Sequence, residues 1–97
     1  MHPTRSQCKH LRGIGHNLKP IIFIGDKGLT ESVYRELDNA LEHHEILKIR
    51  IRVDNRKKRD ELLEKIVERS MATLLQKIGN IALLYRQSKD QKLELPK

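Results

Sequence analysis

Hydrophobic residues along the chain change their spacing several times, and each change predicts a new helix or strand. Behind Thr4, a good N-cap residue, apolar side chains at helical spacing predict a first helix that ends near His16; they are Cys8, Leu11 and Ile14. The run Ile21–Ile24 then has no polar alternation, which predicts a central strand with both faces covered. Phe23 is expected to be buried in this strand.

Helical spacing returns after Thr30, the expected N-cap of a second helix over residues 31–44. The next stretch, Ile46–Val53, alternates strictly and predicts a strand with one face in the core; its other face is a row of cations, Lys48, Arg50 and Arg52. A third helix is expected to begin at Asp54 or Asn55, and its apolar positions are Leu62, Leu63, Ile66, Val67 and Met71.

Two further apolar runs, Thr73–Ile78 and Ile81–Tyr85, flank a Gly79-Asn80 dipeptide that is typical of a tight hairpin. The order α-β-α-β-α-β-β, with two right-handed strand–helix–strand crossovers, predicts a compact two-layer α/β domain with a mixed four-stranded sheet. We expect a single domain over residues 1–97 with a core at about 5–86. The polar residues 87–97 predict a mostly mobile tail, in which Leu93 and Leu95 could add a short edge segment.

The turn between the first strand and the second helix reads Gly25-Asp26-Lys27-Gly28. Glycines without Cβ atoms let a sugar-phosphate backbone approach, and a helix N-terminus favours an anion. Taken alone, Gly-x-x-Gly is more typical of an ordinary turn between a strand and a helix than of a phosphate site. Asp26 and Glu31 oppose an anion here, so we expect Asp26 to point away and Glu31 to interact with the helix dipole.

The charge of the chain favours a polyanionic partner. The net charge is +7 at a pI near 9.8, which points first to nucleic acid and then to an acidic protein or a membrane surface. Residues 29–45 carry five acidic residues and one basic residue, whereas residues 46–59 carry seven basic residues and one acidic residue. Four consecutive cations, Arg56–Arg59, oppose the dipole of the third helix, which indicates a nearby anion unless they simply extend into solvent.

Other chemistry has little support in the sequence. We find no signal peptide, membrane span, Walker A motif or Gly-x-Gly-x-x-Gly motif, and the single Cys8 forms no intramolecular disulfide, so we expect a cytoplasmic protein. The Cys and His residues lack metal-site spacing, so no metal, cofactor, small-molecule substrate or catalytic site is expected. With only three aromatic residues, no base-stacking platform is expected, and recognition would rest on backbone and RNA shape.

Three blocks of sequence together resemble one known family. Leu11-Arg-Gly-Ile-Gly-His-Asn-Leu-Lys-Pro, Ile24-Gly-Asp-Lys-Gly-Leu-Thr and Ala40-Leu-Glu-His-His-Glu-Ile-Leu-Lys-Ile-Arg are similar to the CRM domain, named for chloroplast RNA splicing and ribosome maturation. The length is that of the stand-alone bacterial, YhbY-type members. The resemblance implies a fold similar to the C-terminal domain of translation initiation factor three and a Gly-x-x-Gly loop that binds RNA as in KH domains.

The same resemblance implies an association with precursors of the large ribosomal subunit, whereas plant relatives act in intron splicing. It assigns RNA binding to Gly25, Asp26, Lys27 and Gly28, with a neighbouring basic surface at Lys9, Arg12 and Lys19. Residue chemistry adds the cap at Thr30, the amides of residues 27–31, and the cations Lys48, Arg50 and Arg52. We therefore expect a non-enzymatic protein that docks on large-subunit ribosomal RNA. The alternatives are a module that binds an acidic protein and an RNA-processing enzyme, for which we find no carboxylate or histidine cluster.

Overall fold

Helices and strands follow one another in the order that the hydrophobic pattern predicts, which confirms α-β-α-β-α-β-β. The computed structural model describes residues 2–25 and 27–96. The elements are α1 (Arg5–Gly15), β1 (Pro20–Ile24), α2 (Glu31–His44), β2 (Ile46–Ile51), α3 (Arg56–Ser70), β3 (Thr73–Ile78) and β4 (Ile81–Tyr85).

Side-chain caps explain where the three helices begin. Thr4 forms a capping box with Gln7 at the start of α1. The Thr30 hydroxyl accepts a hydrogen bond from the N–H of Val33 at 3.2 Å. Asn55 Oδ1 accepts from the N–H groups of the second and third residues of α3, at 2.8 and 3.3 Å. These bonds satisfy N–H groups that have no partner inside the helix, and they confirm the expected caps.

The four strands form one mixed sheet in the order β1-β2-β4-β3. β1 and β2 are parallel, and the other neighbours are antiparallel. β3 and β4 form the predicted hairpin, in which Gly79 adopts a φ of 58° that strains other residues. The predicted mixed four-stranded sheet is confirmed.

Three connections lie together at one end of the strands, which we call the loop end. The parallel strands β1 and β2 both finish here, and the β3–β4 turn lies beside them. The N–H of Arg52 donates to the carbonyl of Ile24 at 2.7 Å, and the N–H of Ile51 donates to that of Asn80 at 2.8 Å. The Gly-x-x-Gly turn that follows β1 therefore lies beside the segment that follows β2.

The main core lies between the sheet and the pair α2 and α3, as the two-layer prediction requires. Alternation along β2 places its three core side chains on this face, where they meet buried residues of both helices; the set includes Leu47, Ile49, Ile51, Leu37, Leu41, Leu63 and Ile66. Met71, expected on the apolar side of α3, is 80% exposed. It occupies the left-handed C-cap with a φ of 59°, so the helix ends before its side chain can turn inward.

Helix α1 covers part of the opposite face of the sheet. Its buried Leu11 packs in a second cluster with side chains from β2, β3 and β4, namely Ile46, Leu75, Leu83 and Tyr85. A Cβ atom on Gly15 would overlap the Leu83 side chain, so glycine at this position lets the helix approach the sheet closely. The half of this face near the loop end stays uncovered. We call it the open face; it contains Phe23, Arg50, Ile78 and Ile81.

The prediction that β1 is a central strand is wrong, because β1 is an edge strand. Ile22 and Ile24 enter the main core, but Ile21 is 47% and Phe23 64% exposed, so the predicted burial of Phe23 is also wrong. A short apolar run has the same appearance whether a helix covers its second face or not. Here α1 packs against β2, β3 and β4 and leaves the outer face of β1 open.

Residues 87–96 form no helix or strand, but they are attached to the domain. The buried Glu45 carboxylate accepts hydrogen bonds from the N–H and Oγ of Ser88, at 2.7 and 2.6 Å, and from the N–H of Leu93 at 2.7 Å. Leu93 and Leu95 pack against the second cluster instead of extending the sheet. Polar composition alone gave no indication of these contacts.

Candidate functional site

The Gly-x-x-Gly turn projects from the loop end. Gly28 has a φ of 71°, and its N–H donates to the carbonyl of Gly25 at 3.0 Å, which closes the turn. Lys27 is exposed. A Cβ atom on either glycine would meet nothing within 4 Å. Packing inside the protein therefore does not require glycine at Gly25, and the space above the turn is open to a ligand.

Asp26 and Thr30 are two of the residues expected to bind RNA. Asp26 lies outside the described residues. Thr30 caps α2 through its hydroxyl, as expected. The N–H of Gly28 is one of the amides of residues 27–31 that were expected to meet phosphate, but it donates to the carbonyl of Gly25 within the turn. In the first turn of α2, the N–H of Val33 donates to the Thr30 hydroxyl. The N–H groups of Glu31 and Ser32 lack intrahelical partners by geometry and carry the positive end of the dipole.

The negative charge of Glu31 beside this turn is compensated. Its carboxylate lies 2.6 Å from Arg69 Nη2, and the guanidinium also stacks over the Tyr34 ring, 3.9 Å from the centroid. The hydrogen bond and the charge of Arg69 hold the pKa of Glu31 below its ordinary value. Tyr34 thus packs against an arginine on the outer side of the helices. Glu31 therefore opposes an anion at the turn less than its sequence position suggests.

Three of the expected cations meet at the loop end: Lys27 in the turn, Arg52 after β2, and Arg50 on the open face. The hydrogen bond from the N–H of Arg52 to the carbonyl of Ile24 holds the backbone of Arg52 beside the end of β1. Arg50 pairs in register with Phe23, and both side chains are exposed. We call Lys27, Arg50 and Arg52 the loop-end cations.

The other four cations lie around α1. Lys19 precedes β1, at about 15–20 Å from the turn at 3.3 Å per residue. Lys48 Nζ lies 3.5 Å from the carbonyl oxygen of His16, just after the C-terminus of α1. Lys9 and Arg12 lie on the helix itself. The expected basic residues therefore form two groups. Lys48 and Arg50, on the same face of β2, connect them along that strand.

Other basic residues serve the fold. Arg69, Lys77 and Arg86 form ion pairs with acidic side chains. Arg59, whose side chain is only 14% exposed, donates to Asn80 Oδ1 at 3.2 Å and supports the hairpin turn. Within residues 2–25 and 27–96, by contrast, none of the site cations forms an ion pair: Lys9, Arg12, Lys19, Lys27, Lys48, Arg50 and Arg52.

The cation run Arg56–Arg59 was expected to indicate a nearby anion. Asn55 instead supplies the acceptor for two N–H groups of that helical turn. Arg56, Lys57 and Lys58 are exposed, and the contact between Arg59 and Asn80 places this turn at the loop end. The charge pattern indicated an anion near the start of the third helix, but these three residues were not among those assigned to RNA binding. The fold places them at the same end of the strands as the Gly-x-x-Gly turn.

Among the described residues, no cluster of three His, Cys, Asp or Glu side chains could hold a metal ion. His43 and His44 contact each other edge to face at the end of α2. None of the helices in the described part of the chain is long and apolar enough to cross a membrane.

Comparison with known proteins identifies relatives over most of the chain. Residues 4–86 match the family model of the CRS1 / YhbY (CRM) domain. An RNA-binding protein of Haemophilus influenzae is 38% identical over 94 residues, which are 97% of this chain and 95% of that protein. A probable RNA-binding protein of Pseudomonas aeruginosa is 40% identical over 85 residues, 88% of this chain and 82% of its own.

A solved structure agrees in fold. The solution structure of a hypothetical Staphylococcus aureus protein, for which RNA binding is the suggested activity, superposes with a TM-score of 0.81 at 34% identity. The match covers 98% of this chain and 100% of that one. With the family model, the curated relatives and the shared fold in agreement, the chain belongs to the CRS1/YhbY (CRM) domain family.

Proposed function

We propose that this protein binds RNA without catalysis, through the Gly-x-x-Gly turn and the two groups of cations beside it. One observation carries the proposal: in the described part of the chain, the cations that serve the fold are paired, whereas those around the exposed turn are not. Unpaired cations that share one surface repel each other, and the phosphates of RNA relieve that repulsion.

The turn acts by close approach. Gly25 and Gly28 leave room for a sugar-phosphate backbone, and Lys27 adds a positive charge beside it. A phosphate placed there also faces the first-turn N–H groups of α2. Arg50 and Arg52 neutralise the adjacent phosphates, and the cations around α1 extend the contact along the RNA.

The target in this proposal is structured ribosomal RNA in precursors of the large subunit, met in the cytoplasm, where the protein assists assembly. Its support is the naming of the relatives as RNA-binding proteins and the association of stand-alone bacterial CRM members with such precursors.

The first test is a salt titration with a fluorescein-labelled stem-loop RNA. If about five phosphates are neutralised, the logarithm of the association constant falls with the logarithm of salt at a slope near −4. Lys27→Ala should make the slope of this salt dependence less steep by about one, since it removes one phosphate contact. Lys65→Ala, an exposed lysine on α3, is the matched control and should change neither affinity nor slope. An affinity that does not depend on salt would contradict the proposal.

The second test locates the RNA in growing cells by crosslinking and sequencing. Gly25→Asp is the variant of choice, because its side chain enters open space in the protein but places a carboxylate where phosphate should approach. Reads on large-subunit ribosomal RNA that disappear in this variant support target and turn together. Scattered reads that Gly25→Asp leaves unchanged, with an acidic protein that copurifies after RNase treatment, favour the protein-interaction alternative.

A further inference from the structure

The open face combines exposed apolar side chains with an arginine in a single row across the sheet. Phe23 pairs with Arg50, Arg50 with Ile81, and Ile81 with Ile78, so one residue from each strand lies in the row. Phe23 is 64% and Ile78 67% exposed. Phe23 does not contribute to the main core, which takes its neighbours Ile22 and Ile24. Folding therefore does not explain the presence of an aromatic ring at this position.

We infer that Phe23 and Arg50 form a platform on which one unpaired RNA base stacks, next to the nucleotide whose phosphate meets the Gly-x-x-Gly turn. This inference rests on the proposed function and adds to it a preference for an unpaired nucleotide. Aromatic faces and guanidinium planes both stack on bases. Their in-register pairing on neighbouring strands places them about 5 Å apart at the backbone, side by side on one surface.

Continuity with the turn favours RNA as the occupant. Phe23 lies two residues before Gly25, or about 7 Å along the strand. A nucleotide next to a phosphate held at the turn is therefore within reach of the ring. Beyond Arg50, the row leads to a shallow cavity of about 150 Å³ lined in part by the polar side chains of Lys48 and Gln76.

Charge argues against the two other occupants of such a face. Lysine is depleted at the centres of protein–protein interfaces, whereas here Lys48 lines the cavity beside Ile78 and Ile81. A second copy of the chain would bring a +7 molecule against another, with Arg50 and Lys48 of each near those of the other. RNA, which is anionic and carries aromatic bases, interacts favourably with both the Phe23 ring and the cations.

The test compares two fluorescein-labelled probes, a 12-nucleotide single-stranded RNA and a blunt 12-base-pair duplex of the same sequence. Phe23→Ala should weaken binding of the single strand about 5- to 100-fold, the range expected for loss of one base–aromatic stack. It should leave the duplex affinity and the salt slope unchanged, because no phosphate contact is lost. Phe23→Trp should bind the single strand as the wild type does.

Two further measurements separate stacking from a structural effect. A single strand containing 2-aminopurine should change fluorescence when wild type or Phe23→Trp binds, but not when Phe23→Ala binds. Met71→Ala removes another exposed apolar side chain, 80% exposed at the end of α3, and should behave as wild type. Thermal unfolding by circular dichroism should give the same midpoint for all Phe23 variants.

The outcomes distinguish this inference from the proposed function. If Phe23→Ala binds the single strand as wild type while Lys27→Ala still weakens both probes, the platform is wrong and RNA binding by the turn stands. If neither probe binds the wild type with salt dependence, the proposed function fails and the platform with it. If sedimentation shows a wild-type dimer that Phe23→Ala dissociates, a second copy covers the open face and the inference is overturned.

Discussion

Charged side chains are treated in opposite ways in two regions of the molecule. A set of polar contacts surrounds Arg86 and Glu45, near the start of β2 and the end of β4. We call it the Arg86 network; its members are Asp38, Glu42, Glu45, Arg86 and Ser88. Arg86 Nη1 lies 2.7 Å from Asp38 Oδ1 and 3.0 Å from the Ser70 carbonyl, and Nη2 donates to the Asp38 carbonyl at 3.1 Å. At the loop end, the loop-end cations form no ion pair with another described residue.

The difference separates stability from binding. Removing the partner of a partly buried ion lowers the free energy of unfolding, whereas an exposed cation can be removed with little effect on the fold. Substitutions in the Arg86 network should therefore change stability and leave RNA affinity intact. Substitutions among the loop-end cations should do the reverse.

Arg86→Ala should have the largest effect. It removes a guanidinium whose side chain is only 18% exposed and leaves the Ser70 carbonyl without its donor. We expect a loss of about 2–3 kcal/mol in the free energy of unfolding, measured by urea denaturation. Arg69→Ala is the matched control, since its pair with Glu31 is exposed and should be worth less than about 1 kcal/mol. A similar loss in both variants would contradict the distinction.

Sequence patterns predicted the local structure because local chemistry determines it. Thr4, Thr30 and Asn55 cap helices through bonds to residues two or three positions away, and Gly79 fits a two-residue hairpin. Alternation along β2 also predicted correctly that Lys48 and Arg50 lie on the side of the strand away from the main core.

The remaining features depend on contacts between distant parts of the chain. The bond from Ser88 to Glu45 joins residues 43 positions apart, and those from Arg86 to Asp38 join residues 48 apart. No pattern in either segment specifies such a partner. The edge position of β1 follows from the strand order β1-β2-β4-β3, and the exposure of Phe23 follows from where α1 packs. The spacing of apolar residues in β1 encodes neither.

The triple variant Lys27→Ala, Arg50→Ala, Arg52→Ala should have the next largest effect, on binding. Removing three phosphate contacts should weaken binding of a stem-loop RNA about 30-fold at 0.15 M salt and lower the steepness of the salt dependence by about 2–3. The free energy of unfolding should change by less than about 0.5 kcal/mol. Isothermal titration and urea denaturation measure the two quantities. A large loss of stability with unchanged affinity would reverse the roles assigned to the two regions.

Acid should destabilise the protein partly through Glu45. Burial raises the pKa of its carboxyl group, but the hydrogen bonds from Ser88 and Leu93 outweigh burial and hold it below the ordinary value of 4.5. Because the folded-state pKa is lowered, this stabilisation is present above the unfolded-state pKa and is lost as pH falls through the folded-state value.

Thermal unfolding between pH 7 and pH 3 should therefore show a midpoint that declines below about pH 4.5. Glu45→Gln, less stable at pH 7, should show a shallower decline. Some decline should persist in that variant, because hydrogen bonds with Lys77 and Arg69 also lower the pKa values of Asp60 and Glu31. Parallel acid curves for wild type and Glu45→Gln would show that the Glu45 carboxylate is not the group that responds.

The two glycines of the turn give the smallest and most specific effects. Gly28→Ala places a side chain at a φ of 71° and should lower the free energy of unfolding by about 1 kcal/mol.

In Gly25→Ala, the new methyl group enters open space, and the backbone at this position is not left-handed. The free energy of unfolding should therefore stay within about 0.5 kcal/mol of wild type or rise slightly. Its RNA affinity should nevertheless fall a few-fold, because the added methyl group keeps the sugar-phosphate backbone away. Since Gly25→Ala leaves every charge in place, its salt slope should match that of wild type. Wild-type affinity in Gly25→Ala would mean that RNA does not approach the turn closely, and the cations alone would then carry the binding.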